Sequence, residues 1–180
     1  SSTSYKVMQF DEPSKDVLKK FDSWLSQNLK KIIKIGEKYK GRVNEFGNYI
    51  EDKILELFKH SDVKVNSPKN NKGNKTKAGY PDFQIELKDI LIYCDCKVYK
   101  KEGSNKNTFR SFYFKPSEPD DLKVKMNAPH CLLMFSHEEI KKGIFTILDY
   151  KLVNLYDLQV GFKAEFNTSN KVTTKLKDIF

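Results

Sequence analysis

Two acidic residues and one lysine have the types and the spacing for metal-assisted phosphate chemistry. Asp95 and Lys97 are two residues apart in an apolar segment, so their side chains share one face if that segment is a strand. Asp82 follows Pro81 at the start of the preceding predicted strand, and hairpin pairing would bring it near Asp95. Two carboxylates held together repel each other, and a hard divalent cation such as Mg²⁺ relieves that repulsion. The lysine would then orient a water molecule and offset negative charge on a phosphate.

Helix geometry adds a third acid, Glu51, to this group. At about 100° per residue, the main apolar residues of its predicted helix lie between roughly −120° and roughly −20° from Glu51, and Leu55 lies at about +40°. Glu51 therefore falls inside the apolar arc of the helix. The other acids of the helix lie on its polar side: Glu45, Asp52 and Glu56. Gly47, one turn before Glu51, leaves room for a ligand or another backbone to approach.

The elements that must position these residues begin with two predicted helices. The helical spacing of apolar residues predicts a first helix over 14–40, with Ser14 as its N-cap and Gly41 as its stop. The second helix is predicted over 44–58, where apolar residues recur every three or four positions. Residues 61–80 are polar and rich in turn-forming residues, so we expect a loop there.

The second half of the chain carries the alternating apolar pattern that is typical of strands. A hairpin is predicted from 83–87 and 90–99, with the polar pair 88–89 as its turn. Further strands are predicted over 109–114 and 130–135, weaker ones over 144–148 and 159–166, and some helix is expected near 119–128 or 150–158. This order predicts an α/β fold with a central mixed β-sheet flanked by helices.

Length and composition exclude several classes of protein. The chain has 180 residues, which predicts one domain over 1–180, with 1–13 loosely ordered. Hydrophobic residues make up 38% of the chain, which is too much apolar content for a disordered protein. No apolar run approaches the roughly 18 residues of a membrane helix, and residues 1–10 lack the pattern of a secretory signal. We therefore expect no contact with a membrane. Three cysteines without metal-binding spacing lead us to expect a reduced, cytoplasmic protein.

The net charge of +9 is concentrated in one part of the chain. Residues 64–115 contain twelve Lys or Arg against five acids, which gives +7 of the +9. Such a patch suits a polyanion, although a lysine-rich surface that merely keeps the protein soluble explains the charge equally well. Lysines before Asp82 and after Lys97 are candidate phosphate contacts, namely Lys75, Lys77, Lys100 and Lys101. Arg110, one of two arginines, is a candidate either for a DNA base contact or for capping an edge of the core.

The acids and the lysine together resemble the PD-(D/E)XK nucleases, and in particular the type II restriction endonucleases. The resemblance rests on the Pro-Asp pair that ends at Asp82, the Asp-Cys-Lys run from Asp95 to Lys97, and Glu51 on a preceding helix. Asp95 stands where glutamate is commoner in the superfamily, although the pattern allows either acid. The resemblance implies a restriction-endonuclease-like core in which Asp82 and Asp95 ligate Mg²⁺. It also implies that Lys97 is the catalytic lysine and that Glu51 is an auxiliary acid bound to the metal or to its waters.

The resemblance further implies an enzyme that cuts double-stranded DNA at a specific site and leaves 5′-phosphate and 3′-hydroxyl ends. Cutting both strands of a palindromic site would favour a two-fold homodimer. A cognate DNA methyltransferase encoded nearby would protect the DNA of the host. Two other interpretations stay open: a structure-selective DNA or RNA endonuclease on the same core, and a nucleic-acid-binding module that does not cleave.

The same residues also admit simpler explanations. Asp82 could be a turn acid that only begins a strand. Asp95 and Lys97 could form a surface ion pair at a sheet edge, and Glu51 could pair with a lysine of the first helix. Strand alternation directs both Cys94 and Cys96 to one face, which predicts small core residues rather than ligands.

Overall fold

Two helices come first in the computed structural model, which describes residues 5–77, 79–101 and 119–158. Helix α1 spans Glu12–Glu37 and helix α2 spans Val43–Phe58. The prediction for α2 is confirmed to within one residue. Helix α1 begins two residues and ends three residues before its predicted bounds.

The start of α1 differs from the prediction that Ser14 is the N-cap. Asp11 is the N-cap, and its carboxylate accepts hydrogen bonds from the backbone N–H of Ser14 at 3.0 Å and from the Ser14 hydroxyl. Pro13 then occupies the first turn, where the amide that proline lacks would have no helical partner. Ser14 is buried inside the helix as a result. Gly41 lies beyond the helix end, where a Cβ would collide with the ring of Tyr39.

The described residues form one six-stranded sheet. Its strands are β1 (Val7–Met8), β2 (Lys64–Asn66), β3 (Phe83–Leu87), β4 (Ile90–Lys100), β5 (Ala128–Lys141) and β6 (Ile144–Asn154). Strands β4 and β5 are parallel, β3 pairs antiparallel with β4, and β2 pairs antiparallel with β3. Strand β5 also pairs with β1 in parallel and with β6 in antiparallel orientation. The predicted α/β fold, a central mixed sheet with flanking helices, is confirmed.

Two short strands lie where the sequence predicts none. Strand β1 is within the segment 1–13, which was expected to be loosely ordered, and β2 is within the predicted loop 61–80. Both have at most three residues, and each is stabilised by pairing with a long neighbour rather than by a pattern of its own.

The helix expected to return late in the chain is reduced to one turn in the described residues. A 3₁₀ turn spans Pro119–Asp121, and residues 150–154 belong to strand β6. The predicted strands 109–114 and 159–166 lie outside the described residues. Neither α-helix in the described part of the chain combines the length and the apolar character that a membrane crossing requires.

The apolar core lies between the helices and the sheet. The apolar stripes of α1 and α2 pack with Cys94 and Cys96 of β4, which confirms that both cysteines are core residues. All three cysteines of the chain are free and buried. Trp24 of α1 stacks on Phe58 with ring centroids 3.9 Å apart, so it contributes to this core. Because side chains alternate along β4, Asp95 points away from the face that carries the cysteines.

Candidate active site

The register of the β3–β4 hairpin brings Asp82 level with Asp95. Phe83 pairs with Cys94, so Asp82, one residue before β3, falls opposite the next residue of β4. Its Oδ2 accepts a hydrogen bond from the backbone N–H of Cys96 at 2.8 Å. Because that N–H lies between Asp95 and Lys97 in the chain, the bond holds the Asp82 carboxylate beside both side chains.

Lys97 lies between the two carboxylates. Its Nζ is 2.5 Å from Asp95 Oδ2 and 3.7 Å from Asp82 Oδ2, and it also donates to the carbonyl of Cys96 at 3.1 Å. Strand β4 is internal to the sheet, and Asp95 is only 3% exposed. The alternative of a surface ion pair at a sheet edge is therefore wrong.

The electrostatics of the site show how strongly these groups act on one another. Burial, reinforced by the nearby charge of Asp82, raises the pKa of Asp95 to about 7 although Lys97 opposes the shift. Burial alone would lower the pKa of Lys97, but the charges of Asp95 and Asp82 outweigh burial and raise it. The raised pKa keeps Lys97 charged between the two carboxylates.

The pKa of Glu51 is shifted by burial and by the same three charged side chains. Burial first, and then repulsion by Asp82 and Asp95, raises the pKa of Glu51 to about 8, while Lys97 lowers it in part. Its side chain is half-buried on α2, as the predicted apolar arc requires. Within the described residues Glu51 forms no ion pair with a lysine of α1, so the lysine that acts on it is Lys97.

A groove of about 410 Å³ runs from these residues along α2. Helix α2 contributes Asn44, Gly47, Asn48 and Glu51, which recur at the spacing of a single helix face, and β4 contributes Lys97 and Lys100. A Cβ added at Gly47 would meet nothing within 4 Å, so this glycine opens on the groove rather than on packed core. Because Glu51 and Lys97 both line the groove, it adjoins the carboxylate–lysine cluster, and it combines polar and apolar side chains.

The predicted phosphate contacts are only partly gathered around the groove. Lys100 lines it, and Lys101 follows at the end of β4. Lys77 forms an exposed ion pair with Asp52 of α2 at 2.6 Å. This contact places the lysine-rich loop between β2 and β3 beside that helix. Lys75 is exposed on the same loop. Arg110 lies outside the described residues.

Lys123 is a charged residue near the site that the sequence pattern did not single out. It is 3% exposed, and its Nζ donates to the carbonyls of Gly79 at 2.8 Å and Pro81 at 3.2 Å. Burial lowers the pKa of Lys123, and the charges of the nearby carboxylates counteract that shift in part. In the sequence it is one more lysine in a polar segment, and only a tertiary contact could reveal its burial.

A second contact also holds the segment before Asp82. Burial lowers the pKa of His130 to about 4, so its ring is neutral, and burial keeps the Tyr80 hydroxyl protonated by raising its pKa. The Tyr80 hydroxyl and His130 Nδ1 share a hydrogen bond at 2.5 Å, and the two rings stack. Among the described residues, His130 thus contacts the aromatic rings of Tyr80 and Tyr93.

Asp82 and Asp95 suit a hard divalent cation. In the described part of the chain, no group of three or more His, Cys, Asp or Glu side chains lies close enough together to hold a metal ion. The two aspartates nevertheless offer oxygen donors around one ammonium, and the buried Oδ2 of Asp95 has that ammonium as its contact without a well-formed hydrogen bond. A divalent cation bound by Asp82 and Asp95 would offset the repulsion between their charges, which the Lys97 ammonium offsets in this structure.

Comparison with known proteins identifies the family. Residues 1–174 match the model of the type II restriction enzyme MjaV family. The chain belongs to this family. It is similar to the type II restriction enzyme MjaV of Methanocaldococcus jannaschii, with 28% identity over 193 residues that cover 98% of this chain and 82% of the relative. Membership confirms the prediction of a type II restriction endonuclease, a site-specific deoxyribonuclease, and favours it over the two other interpretations.

The position of Lys97 in this restriction enzyme predicts competition between the lysine and a metal ion. Lys97→Met removes an ammonium from between Asp82 and Asp95, so Mn²⁺ should bind at least roughly tenfold more tightly at pH 8. DNA cleavage should nevertheless fall at least ~100-fold if, as the PD-(D/E)XK resemblance implies, Lys97 is the catalytic lysine whose charge stabilises the reacting phosphate. Titration calorimetry and a cleavage assay measure the two effects. The exposed Lys151→Met is the control, and weaker Mn²⁺ binding by Lys97→Met would contradict the competition.

The raised pKa of Glu51 predicts that the metal-free enzyme loses stability as pH rises. The folded state holds a proton up to about pH 8 that the unfolded chain releases near its ordinary value of 4.5, so the free energy of unfolding falls between these values. Glu51→Gln removes the contribution of Glu51 to this dependence and leaves that of Asp95, whose pKa is raised to about 7. After allowance for partial solvent exposure, it should stabilise the protein at pH 8 by roughly 1–3 kcal/mol.

Thermal melts in EDTA from pH 5 to pH 8.5 test this expectation. Glu45→Gln, an exposed acid on the same helix, should leave the pH dependence unchanged. A Glu51→Gln variant that melts lower than the parent at pH 8 would instead make Glu51 a structural partner.

Proposed function

We propose that this restriction enzyme hydrolyses phosphodiester bonds of double-stranded DNA with Mg²⁺ held by Asp82 and Asp95, leaving 5′-phosphate and 3′-hydroxyl ends. The contact of Lys97 with both carboxylates carries this proposal, because it assembles two oxygen ligands and one ammonium at a single point. The same residues follow the PD-(D/E)XK pattern. Their geometry supports the pattern, since all three belong to one hairpin and converge at its open end.

Each side chain has a distinct part in the proposed reaction. Bound Mg²⁺ would supply Lewis-acid stabilisation of charge on the reacting phosphate. Lys97 orients the attacking water and, with its raised pKa, keeps a positive charge beside the phosphate. Glu51 is the proposed auxiliary acid: burial and the neighbouring carboxylates raise its pKa to about 8, and a bound cation would lower that pKa and favour a carboxylate that accepts hydrogen bonds from water.

The groove beside the cluster is the proposed path of the cleaved strand. It is continuous with Lys97 and Glu51, and its amide and lysine lining suits sugar and phosphate oxygens. Lys75, Lys77, Lys100 and Lys101 would extend this contact to flanking phosphates, and Arg110 is retained as a candidate base contact. Counterion release from these lysines makes DNA binding strongly dependent on salt.

The remaining proposals follow from the substrate. Symmetric cutting of both strands favours a homodimer whose two-fold axis coincides with that of the DNA site. The enzyme would act in the cytoplasm, where its DNA substrate lies, beside a cognate methyltransferase that modifies the same site. Sedimentation of the protein with and without DNA would test the dimer.

Plasmid cleavage tests the proposed reaction directly. The enzyme should give discrete fragments with Mg²⁺ and none with EDTA, and Asp95→Asn should lose at least ~100-fold in rate because a ligand oxygen is lost. Asp89→Asn, an exposed acid in the turn of the same hairpin, should cut like the parent. Fragments that ligate without prior kinase treatment would carry the predicted 5′-phosphates.

The other outcomes of this assay separate the alternatives. Smeared products, or cleavage confined to branched DNA or to RNA, would favour the structure-selective nuclease. Full activity of Asp95→Asn would contradict the proposed metal site.

A further inference from the structure

Lys123 is held in an unusual way for a buried lysine. Its ammonium contacts two backbone carbonyls, those of Gly79 and Pro81, and no carboxylate lies within ion-pair distance among the described residues. Burying an ammonium without a contacting counter-charge costs free energy. Hydrogen bonds and the field of more distant charges must offset that cost. Asp82, Asp95 and Glu51 supply that field.

The two carbonyls that Lys123 holds come directly before Asp82. Gly79 has a φ of +85°, a left-handed conformation that glycine adopts without strain, and the turn around it brings the Gly79 and Pro81 carbonyls to the same ammonium. The Pro81 carbonyl belongs to the peptide unit that leads into Asp82. Its hydrogen bond to Lys123 therefore fixes the direction from which the Asp82 side chain leaves the backbone.

Lys97 contacts the carboxylates directly, whereas Lys123 lies near them without contacting them. Lys97 touches carboxylate oxygens and occupies positions that a metal ion would need. Lys123 binds carbonyls, so its positive charge counteracts carboxylate repulsion without a contact to those oxygens. This second ammonium can remain in place in both the metal-free and the metal-bound enzyme.

The segment that carries Lys123 also forms hydrogen bonds with the lysine-rich loop between β2 and β3. Lys125 Nζ donates to the Asn70 carbonyl at 3.1 Å, and the backbone N–H of Asn71 donates to the Asp120 carbonyl at 3.1 Å. Residues 120–125 thus join the loop of candidate phosphate contacts to the turn that precedes Asp82. Lys125 lies two residues from Lys123. Its side chain donates to the loop, while its backbone N–H donates to the Tyr93 hydroxyl at 2.9 Å and is kept in Lys125→Met, which makes this variant a matched comparison.

We propose that Lys123 is a positioning residue of the active site, which fixes the Asp82 carboxylate through the Gly79 and Pro81 carbonyls and offsets carboxylate repulsion without competing for the metal. The proposal rests on the proposed function, in which Asp82 and Asp95 hold the metal ion. It assigns Lys123 no contact with substrate.

Lys123→Met tests the proposal because it preserves most of the side-chain length and removes the charge and both hydrogen bonds. Mn²⁺ affinity, measured by titration calorimetry, should fall about tenfold to 100-fold, because the loss of ligand orientation outweighs the weaker repulsion between the ion and an ammonium that contacts carbonyls rather than the carboxylates. In steady-state cleavage, kcat should fall while KM for DNA stays within about twofold. Lys125→Met should retain the Mn²⁺ affinity of the parent.

A second variant covers the case in which Lys123→Met does not fold. Lys123→Gln keeps one hydrogen-bond donor group without the charge. Its Mn²⁺ affinity should lie below that of the parent and, where Lys123→Met folds, above that of Lys123→Met. A lowered melting temperature with parental Mn²⁺ affinity and kcat would make Lys123 purely structural and would overturn the proposal. A parent enzyme that neither binds Mn²⁺ nor cleaves DNA would instead contradict the proposed function.

Discussion

The structure of the site depends on one interaction, the contact of the Lys97 ammonium with the carboxylates of Asp82 and Asp95. Asp95 is buried in an internal strand, where an uncompensated charge would strongly oppose folding. The lysine compensates that charge, and the N–H of Cys96 holds the second carboxylate in reach. A buried ion pair of this kind contributes little to stability compared with apolar residues of similar size, so its presence in the sheet favours a functional explanation.

The rest of the fold supplies what this contact requires. The antiparallel β3–β4 pair sets Asp82 opposite Asp95, and the parallel β4–β5 pair fixes the far side of the strand. Helix α2 passes close enough for both carboxylates to raise the pKa of Glu51, and its face with Asn44, Gly47 and Asn48 opens on the groove that leads to Lys97. Lys123 and His130 hold the segment before Asp82 from the other direction. Elements that are distant in sequence thus converge on one short stretch of backbone.

The sequence predicts the parts of this arrangement that depend on local periodicity. Alternation along β4 separates Asp95 from Cys94, the two-residue break at 88–89 sets the hairpin register, and helical periodicity places Glu51 on the inner face. Lys123 escapes such reasoning because its burial depends on carbonyls more than forty residues away. The N-cap of α1 was also missed, because Asp11 and Ser14 are both good caps and the choice between them depends on the position of Pro13. Strand β2 has three residues and depends on pairing with β3, so its own sequence carries too little pattern.

The position of a bound metal ion is the most direct test of the central claim that Asp82, Asp95 and Lys97 form the cation-binding centre of this restriction enzyme. Crystals of the protein with Mn²⁺ would give an anomalous peak that reports the ion without reference to activity. We expect a peak in contact with carboxylate oxygens of both Asp82 and Asp95, with the Lys97 ammonium displaced from between them. A peak at other side chains, or an unchanged Lys97 contact with no ion beside it at saturating Mn²⁺, would contradict it.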